Sequence, residues 1–543
     1  MKLFAALPRL WHLWLGGLIV LVLGMGIDVM EVDSAQYASI AREMLHNGEW
    51  LEVYEHGQTY NSRGFPDKPP LLFWAGAVGM WLIGENNWGF KLLAILSSLI
   101  GIFAAGRWSA LLYGEKAKLP ARLFYAFNAG FVLMNQDLRT DAMLVNFILL
   151  ACWQLELYLR TQSKRAFLLT FTCVALGMLA KGPVALIAVL AAFGPDAVVR
   201  RDWKRLFRPE WLLGIVLILT LLGPMLYGLY TQWGWEKGIK YYFWTQSFGR
   251  ITGENVWQNN LPVTFLLENF AWTFLPWVPL FGAMLFFSIK HKFSCLKGAG
   301  KAVPAFGFVL MLTAMSMSKY KLPHYVFVCW PFAAVWLAGW WNQARLGNAW
   351  HAVHTTLGAL MSLFTCFLAY WTLGWSPLVA LLPFLCWFVI VVTTRKMHFD
   401  IPGAMHSMLW GLLLFEAFAV IFFYPWLLDH QSSSKAGQAV AQMTEQLPLF
   451  FELSDDESIH ALHFYSHQVA QKFPSAITEL PRQFLLYTKE ATLVELKNNP
   501  NVEVSNVQVF DYFAVTHLTP SFLNAKTRAS QVEKRFLLTI NKQ

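Results

Sequence analysis

Residues 211–230 read WLLGIVLILTLLGPMLYGLY, a mostly apolar run without a charged side chain. About 20 such residues are enough for an α-helix to cross the roughly 30 Å hydrocarbon core of a membrane. Comparable runs recur from Trp11 to Trp426, and 56% of the 543 residues are hydrophobic while only 14% are charged. Soluble proteins carry about 25% charged residues. The sequence therefore predicts an α-helical polytopic membrane protein.

The apolar runs predict about thirteen transmembrane helices. They lie near residues 11–27, 88–113, 120–136, 140–159, 166–180, 183–199, 211–230, 265–289, 303–318, 323–342, 351–371, 376–394 and 403–426. The first run is interpreted as a retained signal-anchor helix. The run Leu71–Gly84 is too short for a clear crossing. If it does not cross, the inner loops receive about twice as many basic residues as the outer loops, as the positive-inside rule requires.

This topology makes residues 28–87 one long outer loop that carries juxtamembrane helices, with Leu71–Gly84 as an interfacial or re-entrant helix. The N-terminus is then cytoplasmic, and the segment after the last span lies on the outer side. The net charge of +9 does not indicate nucleic-acid binding, because the basic residues are concentrated in short loops between apolar runs.

From about residue 429 the composition changes to that of a water-facing domain. The polar segment Gln431–Gln438 is typical of a linker. Short apolar runs typical of strands follow, such as Ala461–Tyr465 and Phe484–Tyr487, and they alternate with helix-like stretches such as Glu490–Asn498. The predicted domains are a transmembrane domain over residues 1–428 and a small extracytoplasmic α/β domain over residues 429–543.

The outer loop is rich in acidic residues, and most of them need no explanation beyond keeping the loop in water. Asp33 differs because it follows the first predicted span by only one or two turns. It precedes Gln36–Leu45, whose periodicity predicts a helix along the membrane surface. A carboxylate at this boundary is suited to act as a general base toward an acceptor hydroxyl or phosphate.

Five motifs resemble those of one family. They are Asp33-Ser34-Ala35-Gln36-Tyr37 with Ile40–Leu45, Asp67-Lys68-Pro69-Pro70-Leu71, Asp137 with Asp141, Ala180-Lys181-Gly182-Pro183, and Ser318–Tyr325. In this order they are similar to the GT-C glycosyltransferases that use lipid-linked sugars, namely the bacterial lipid A aminoarabinose transferases and the dolichyl-phosphate-mannose protein mannosyltransferases. Ser34, Gln36 and Ser247 depart from the family pattern.

The resemblance implies an inverting glycosyltransferase of the bacterial inner membrane whose active site faces the periplasm. The donor would be undecaprenyl phosphate carrying one sugar, and Asp33 would be the catalytic base. The residues implied to bind the donor phosphate are Lys68, Lys181, Arg250, Lys319, Lys321, Tyr37 and Tyr320. The residues implied to orient the sugar or acceptor are Asp67, Asp137 and Asp141.

The residues alone leave alternatives for several of these side chains. Lys181, and likewise Lys319 and Lys321, also fit the pattern of a lysine that extends from a helix end to the membrane surface. Asp141 also fits a helix N-cap. His324, beside Pro323, is interpreted as an interface residue without a chemical role.

No Cys or His cluster has the spacing of a metal site, so no metal is predicted. A single phosphate does not require a cofactor, although a divalent ion is compatible with the chemistry. The expected partners are the polyprenyl-phosphate sugar, membrane lipid, and a glycolipid such as lipid A or a protein as acceptor.

The alternative function is a transporter or lipid flippase, which predicts inverted repeats and ionisable residues in the spans. The predicted spans are nearly free of ionisable residues apart from Glu156 and Glu416. A ligand-binding sensor is a further alternative, and the sugar and the acceptor stay open.

Overall fold

A computed structural model describes residues 10–542, apart from residues 56–63, 247–248, 255–257, 342–346, 395–396, 398, 400, 455–456 and 475–479, and apart from the side chains of Arg250, Ile251 and Cys295. The apolar run that opens the sequence analysis lies within one helix, Glu210–Gly234. The predicted helical membrane domain and the small α/β domain are both present.

The helices of the membrane domain follow one another with short connections. They are α1 (Trp11–Met25), α2 (Asp33–Asn47), α3 (Leu71–Ile83), α4 (Asn87–Tyr113), α5 (Lys118–Ala126), α6 (Ala129–Gln136), α7 (Thr140–Thr161), α8 (Lys164–Lys181), α9 (Val184–Val199), α10 (Trp203–Leu206), α11 (Glu210–Gly234), α12 (Gly249–Thr252), α13 (Phe265–Thr273), α14 (Val278–Lys290), α15 (Val303–Ser316), α16 (Trp330–Trp341), α17 (Asn348–Trp371), α18 (Pro377–Ala380), α19 (Leu382–Thr394), α20 (Gly403–Phe418) and α21 (Tyr424–Leu428). Short π-helical segments, Trp235–Thr245 and Ala419–Phe423, extend α11 and α20.

All thirteen predicted spans fall on helical segments. Within the described residues, six segments are long and apolar enough to cross a membrane, and a bent pair makes a seventh. Four more apolar helices are 10–17 residues long. The protein is therefore a multi-pass membrane protein, and the number of about thirteen crossings stays a prediction.

Two predicted spans are wrong as single helices. The span over 120–136 is broken between α5 and α6, where Asn128 accepts a hydrogen bond from the Phe131 amide at 3.0 Å and so caps a new helix. The span over 265–289 consists of α13 and α14, which are bent by 118°. Pro276 lies at this bend and lacks the amide hydrogen that would continue α13.

The segment over residues 28–87, which is the predicted outer loop, contains two helices, α2 and α3, as the sequence predicts. Helix α3 covers 13 residues and lies between α2 and α4. Its approach to α4 requires a glycine, because a Cβ atom on Gly79 would lie 2.1 Å from the Gly89 carbonyl oxygen. Helix α3 is therefore fixed against α4, and its position at the membrane interface stays a prediction.

The C-terminal domain is built on a five-stranded mixed sheet, in which the strands lie side by side in the order second, first, third, fifth and fourth along the chain. The elements are α22 (Ser432–Ala441), β1 (Leu449–Glu452), α23 (His460–Ser466), β2 (Gln471–Lys472), β3 (Gln483–Thr488), α24 (Glu490–Lys497), β4 (Val502–Tyr512), α25 (Pro520–Leu523) and β5 (Glu533–Lys542). Strands β1, β2 and β3 are parallel, and β5 pairs antiparallel with β3 and β4.

Two details of this domain differ from the prediction. The segment Gln431–Gln438 is not a linker, because most of it forms α22, which buries Ala436 and Val440 in the domain core. Residues 461–465 form part of helix α23 rather than a strand. A buried, mostly apolar segment of five residues does not distinguish a strand from a helix by periodicity. Phe484–Tyr487 does lie in strand β3, as predicted.

The C-terminal domain docks on the outer loop through a buried carboxylate, Glu31. Its oxygens accept hydrogen bonds from the Ala461 amide at 2.7 Å, the Ser433 hydroxyl at 3.2 Å and the Ser458 hydroxyl. The Glu31 amide donates to Gln431 at 2.9 Å. Burial nevertheless dominates and raises the pKa of Glu31 from 4.5 to about 7. This contact fixes the domain next to the first residues of α2.

The raised pKa makes the stability of this docking depend on pH. The folded state binds the Glu31 proton more tightly than the unfolded chain, so this group lowers the free energy of unfolding as the pH rises from 4.5 to about 7. The full effect is on the order of 3 kcal/mol. We expect Glu31→Gln to melt at a higher temperature than wild type at pH 8 and at a similar temperature at pH 4.5, measured in detergent. Glu445→Gln, at an exposed site in the same domain, is the control. A variant that is no more stable than wild type at pH 8 contradicts this prediction.

Candidate active site

Asp33 is the first residue of α2, and its side chain is 30% exposed. Its Oδ2 atom lies 2.5 Å from Nη1 of Arg139. Its Oδ1 atom has only a long contact, 3.4 Å, with the Tyr37 hydroxyl one turn later. Burial is the main cause that raises the pKa of Tyr37, so this hydroxyl keeps its proton. The arrangement fixes one oxygen of Asp33 and leaves the other weakly engaged.

Arg139 connects Asp33 to the junction of α6 and α7. Its Nε atom donates to Asp137 at 2.9 Å, and its Nη1 atom lies 3.1 Å from Nδ1 of His324. Burial by itself lowers the pKa of Arg139, but the charges of Asp137 and Asp33 outweigh burial and raise it. The guanidinium group therefore stays charged although it is only 18% exposed.

Lys181 and Asp141 form the other end of this cluster. The Lys181 amine lies 2.7 Å and 2.6 Å from the two oxygens of Asp141, and 4.7 Å from the centre of the Tyr325 ring. Nε2 of His324 is 3.8 Å from Asp141. Lys181 ends α8 just before Gly182, whose φ of 80° turns the chain out of the helix. Asp33, Arg139, His324, Asp141 and Lys181 thus form a continuous chain of charged or ionisable groups.

A cleft opens at the Lys181 end of the chain. It encloses about 830 Å³ of empty space, including the part open to solvent. Its polar lining includes Asp67, Lys68, Asp141 and Lys181, and much of the remaining wall is apolar. A cleft with apolar walls and two lysines is suited to an anionic head group attached to an acyl or prenyl chain.

The loop that carries Asp67 and Lys68 is held by the π-helical segment after α11. The Tyr241 hydroxyl donates to Asp67 at 2.5 Å, and the Gln246 amide donates to the same oxygen at 3.0 Å. This anchoring fixes the loop over the cleft, where Lys68 faces the same space as Lys181.

The remaining predicted residues do not join the cleft in the described part of the chain. Lys321 is buried, and its amine donates to the Leu261 carbonyl at 3.0 Å, so the structure gives it a role in holding that loop instead of a phosphate. Lys319 is exposed and Tyr320 is half-buried. The backbone of Arg250 lies in α12, but its side chain is outside the described residues.

Two residues of the cluster, Arg139 and His324, were not predicted. His324 was interpreted as an interface residue, and the structure corrects this, because both of its ring nitrogens face charged side chains. Arg139 lies between the two acids of the predicted pair Asp137 and Asp141. The sequence signal for Arg139 is a basic residue that lies between two acids next to a predicted span.

Comparisons with known proteins agree with this architecture. The family model "Dolichyl-phosphate-mannose-protein mannosyltransferase" matches residues 67–227. The undecaprenyl phosphate-alpha-4-amino-4-deoxy-L-arabinose arabinosyl transferase of Pseudomonas aeruginosa strain LESB58 is 27% identical over 58% of this chain and 56% of its own length. The transferase of the same name from Edwardsiella ictaluri is 26% identical over 57% of this chain and 54% of its own length. The match spans about half the length of these curated relatives.

A solved structure is similar over nearly the whole chain. The crystal structure of ArnT from Cupriavidus metallidurans bound to undecaprenyl phosphate has a TM-score of 0.73 and 16% sequence identity, and the superposition covers 98% of this chain and 97% of that chain. This likeness includes the C-terminal domain and establishes the fold. The resemblance that the five motifs predicted is thereby confirmed: the chain has the GT-C fold, is similar to the aminoarabinose transferases, and matches the mannosyltransferase family model over residues 67–227.

Proposed function

We propose that this protein is an inverting glycosyltransferase that moves a sugar from a polyprenyl phosphate to an acceptor of the cell envelope. The observation that carries the proposal is the chain of side chains from Asp33 to Lys181. It joins a weakly engaged carboxylate oxygen to a cleft with apolar walls and two lysines. The names of the relatives and the lipid bound to the similar crystal structure support undecaprenyl phosphate as the carrier.

In the proposed reaction the lipid tail of the donor lies along the apolar wall of the cleft. Its phosphate takes a position beside Lys181 and Lys68, which neutralise charge as the sugar–phosphate bond breaks. Four residues stay predicted phosphate contacts, namely Tyr37, Arg250, Lys319 and Tyr320. Lys321 is left out because its amine donates to the Leu261 carbonyl. Asp67, Asp137 and Asp141 orient the sugar or the acceptor.

Asp33 acts on the acceptor. Its Oδ1 atom removes the proton from the acceptor hydroxyl, whose oxygen attacks the anomeric carbon as the polyprenyl phosphate departs. Arg139 keeps Oδ2 in place. If the acceptor is a phosphate that is already ionised, Asp33 orients it and need not take a proton.

The proposed reaction uses no cofactor, because Lys68 and Lys181 both face the space that the phosphate would take. The proposal places the protein in the bacterial inner membrane with the N-terminus in the cytoplasm and the C-terminal domain in the periplasm. The contacts of Glu31 support a common side of the membrane for the outer loop and this domain.

The relatives reported above are transferases and do not support the alternative of a transporter or flippase. The acceptor is lipid A, a protein or another envelope glycan.

The role of Asp33 is tested by substitution. Removal of a general base costs about 10²–10⁴-fold in rate. We therefore expect Asp33→Asn and Asp33→Ala to lose transfer by at least about a hundredfold while binding of undecaprenyl phosphate is retained. The measurement uses purified protein in nanodiscs with a panel of radiolabelled polyprenyl-phosphate sugars and envelope lipid and protein extracts. Glu49→Gln, an exposed acid of the same outer loop, is the control. Equal transfer by wild type and Asp33→Ala contradicts the proposed base, and no transfer by wild type contradicts the proposed function.

The role of Lys181 is tested through lipid binding. We expect Lys181→Met to weaken binding of undecaprenyl phosphate about tenfold or more, because a charge-assisted contact to the phosphate is lost. This substitution also leaves Asp141 buried without its cation. The double variant Lys181→Met with Asp141→Asn removes that second effect and should bind the lipid as weakly as the single variant. Lys237→Met, at an exposed site outside the cleft, is the control. Recovery of lipid binding in the double variant rules out a direct contact of Lys181 with the phosphate.

A further inference from the structure

The C-terminal domain reaches the candidate active site through the first residue of α23, His460. This residue is only 1% exposed, although it belongs to a water-facing domain. Its Nε2 atom lies 3.4 Å from Oε1 of Glu55 in the outer loop. The contact does not have the geometry of a hydrogen bond, and within the described residues this nitrogen has no other hydrogen-bond partner.

Glu55 links His460 to α2. Its Oε1 atom accepts a hydrogen bond from the Gln36 side chain at 2.7 Å, and Gln36 follows Asp33 by three residues in α2. The imidazole is also close enough to Asp33 for the charge of that carboxylate to act on it. Three separate parts of the chain thus bring an imidazole, a carboxylate and an amide together beside Asp33.

The burial of these groups favours a neutral, hydrogen-bonding His460. Burial lowers the pKa of His460 to about 4 in spite of the charge of Asp33. Burial also raises the pKa of Glu55, with the charge of Asp67 adding to the effect and that of Lys68 opposing it. At neutral pH the imidazole therefore presents one donor and one acceptor, which is the pattern that hydroxyl groups match.

A purely structural role does not explain this arrangement. A buried nitrogen without a hydrogen bond costs stability, and an apolar residue at the start of α23 would avoid that cost. The docking itself is already secured one residue later, where the Ala461 amide binds Glu31. The Nε2 atom of His460 faces the Glu55 carboxylate, which is itself hydrogen-bonded to α2.

We propose that His460, together with Glu55 and Gln36, binds a hydroxyl-bearing part of the acceptor next to Asp33, so that the C-terminal domain completes the active site. This inference rests on the proposed glycosyltransferase function. In an inverting displacement the acceptor attacks from the side opposite the leaving phosphate. The cations of the cleft lie at the Lys181 end of the cluster, whereas His460 approaches Asp33 from the C-terminal domain and brings no positive charge. The two ends of the site thus differ in the chemistry that they offer.

The test separates acceptor binding from donor binding in full-length protein in nanodiscs. We expect His460→Ala to raise the KM for the acceptor about tenfold, with lipid A as the first probe, while the affinity for undecaprenyl phosphate changes less than twofold. Cleavage of the donor by water, measured without acceptor, should also be unchanged. His460→Gln keeps a donor and an acceptor atom and should restore much of the acceptor KM. His517→Ala, at an exposed site of the same domain, is the control.

Glu55→Gln provides a second variant in case His460→Ala does not fold, which its melting temperature reveals. It should raise the acceptor KM without weakening donor binding. An unchanged acceptor KM in both variants overturns the inference while transfer by wild type upholds the proposed function. An equal loss of donor and acceptor binding also overturns it, since that is the result of a structural defect. If wild type cleaves no donor and transfers no sugar, the proposed function fails, and this inference fails with it.

Discussion

The ion pair between Asp33 and Arg139 is the contact on which the rest of the candidate site depends. It joins residues 106 positions apart and fixes the start of α2 against the junction of α6 and α7. A carboxylate and a guanidinium that lose most of their water at a membrane boundary are stable only if each has partners of opposite charge or good hydrogen bonds. Arg139 meets this requirement with Asp137 and Asp33, and its contact with His324 then orders the loop after α15.

The same requirement applies to the C-terminal domain, whose buried contact with Glu31 lies two residues before Asp33. Helix α2 is held on one side by Arg139, and the residue two positions before it, Glu31, is held by the start of α23. A second contact fixes the far side of the domain, where the Arg528 guanidinium lies 4.3 Å from the centre of the Trp426 ring. With both sides fixed, the position of Asp33 depends on the membrane domain and on the C-terminal domain together.

The sequence predicted the features that follow from local patterns. Apolar runs located the long apolar helices of the membrane domain, and the motifs identified Asp33, Asp141 and Lys181, which do lie in one connected cluster. Local patterns do not reveal which distant side chain neutralises a buried charge. The contact between Arg139 and His324 spans 185 positions, and although both residues lie among the motif residues, nothing in the motifs shows that the two side chains meet.

The breaks in the helices show a related limit. Hydropathy averages over a window, so it does not detect a single Asn128 that stops one helix and caps the next, or a bend of 118° beside Pro276. Such breaks have a consequence for chemistry. In a membrane, backbone that leaves a helix is tolerated only where protein or a water-filled cavity satisfies its polar groups. The turn at Gly182, directly after Lys181, lines the cleft. An irregular backbone, a lysine and an apolar wall therefore occur together at this position, where we propose that the tail and the phosphate of the lipid donor bind.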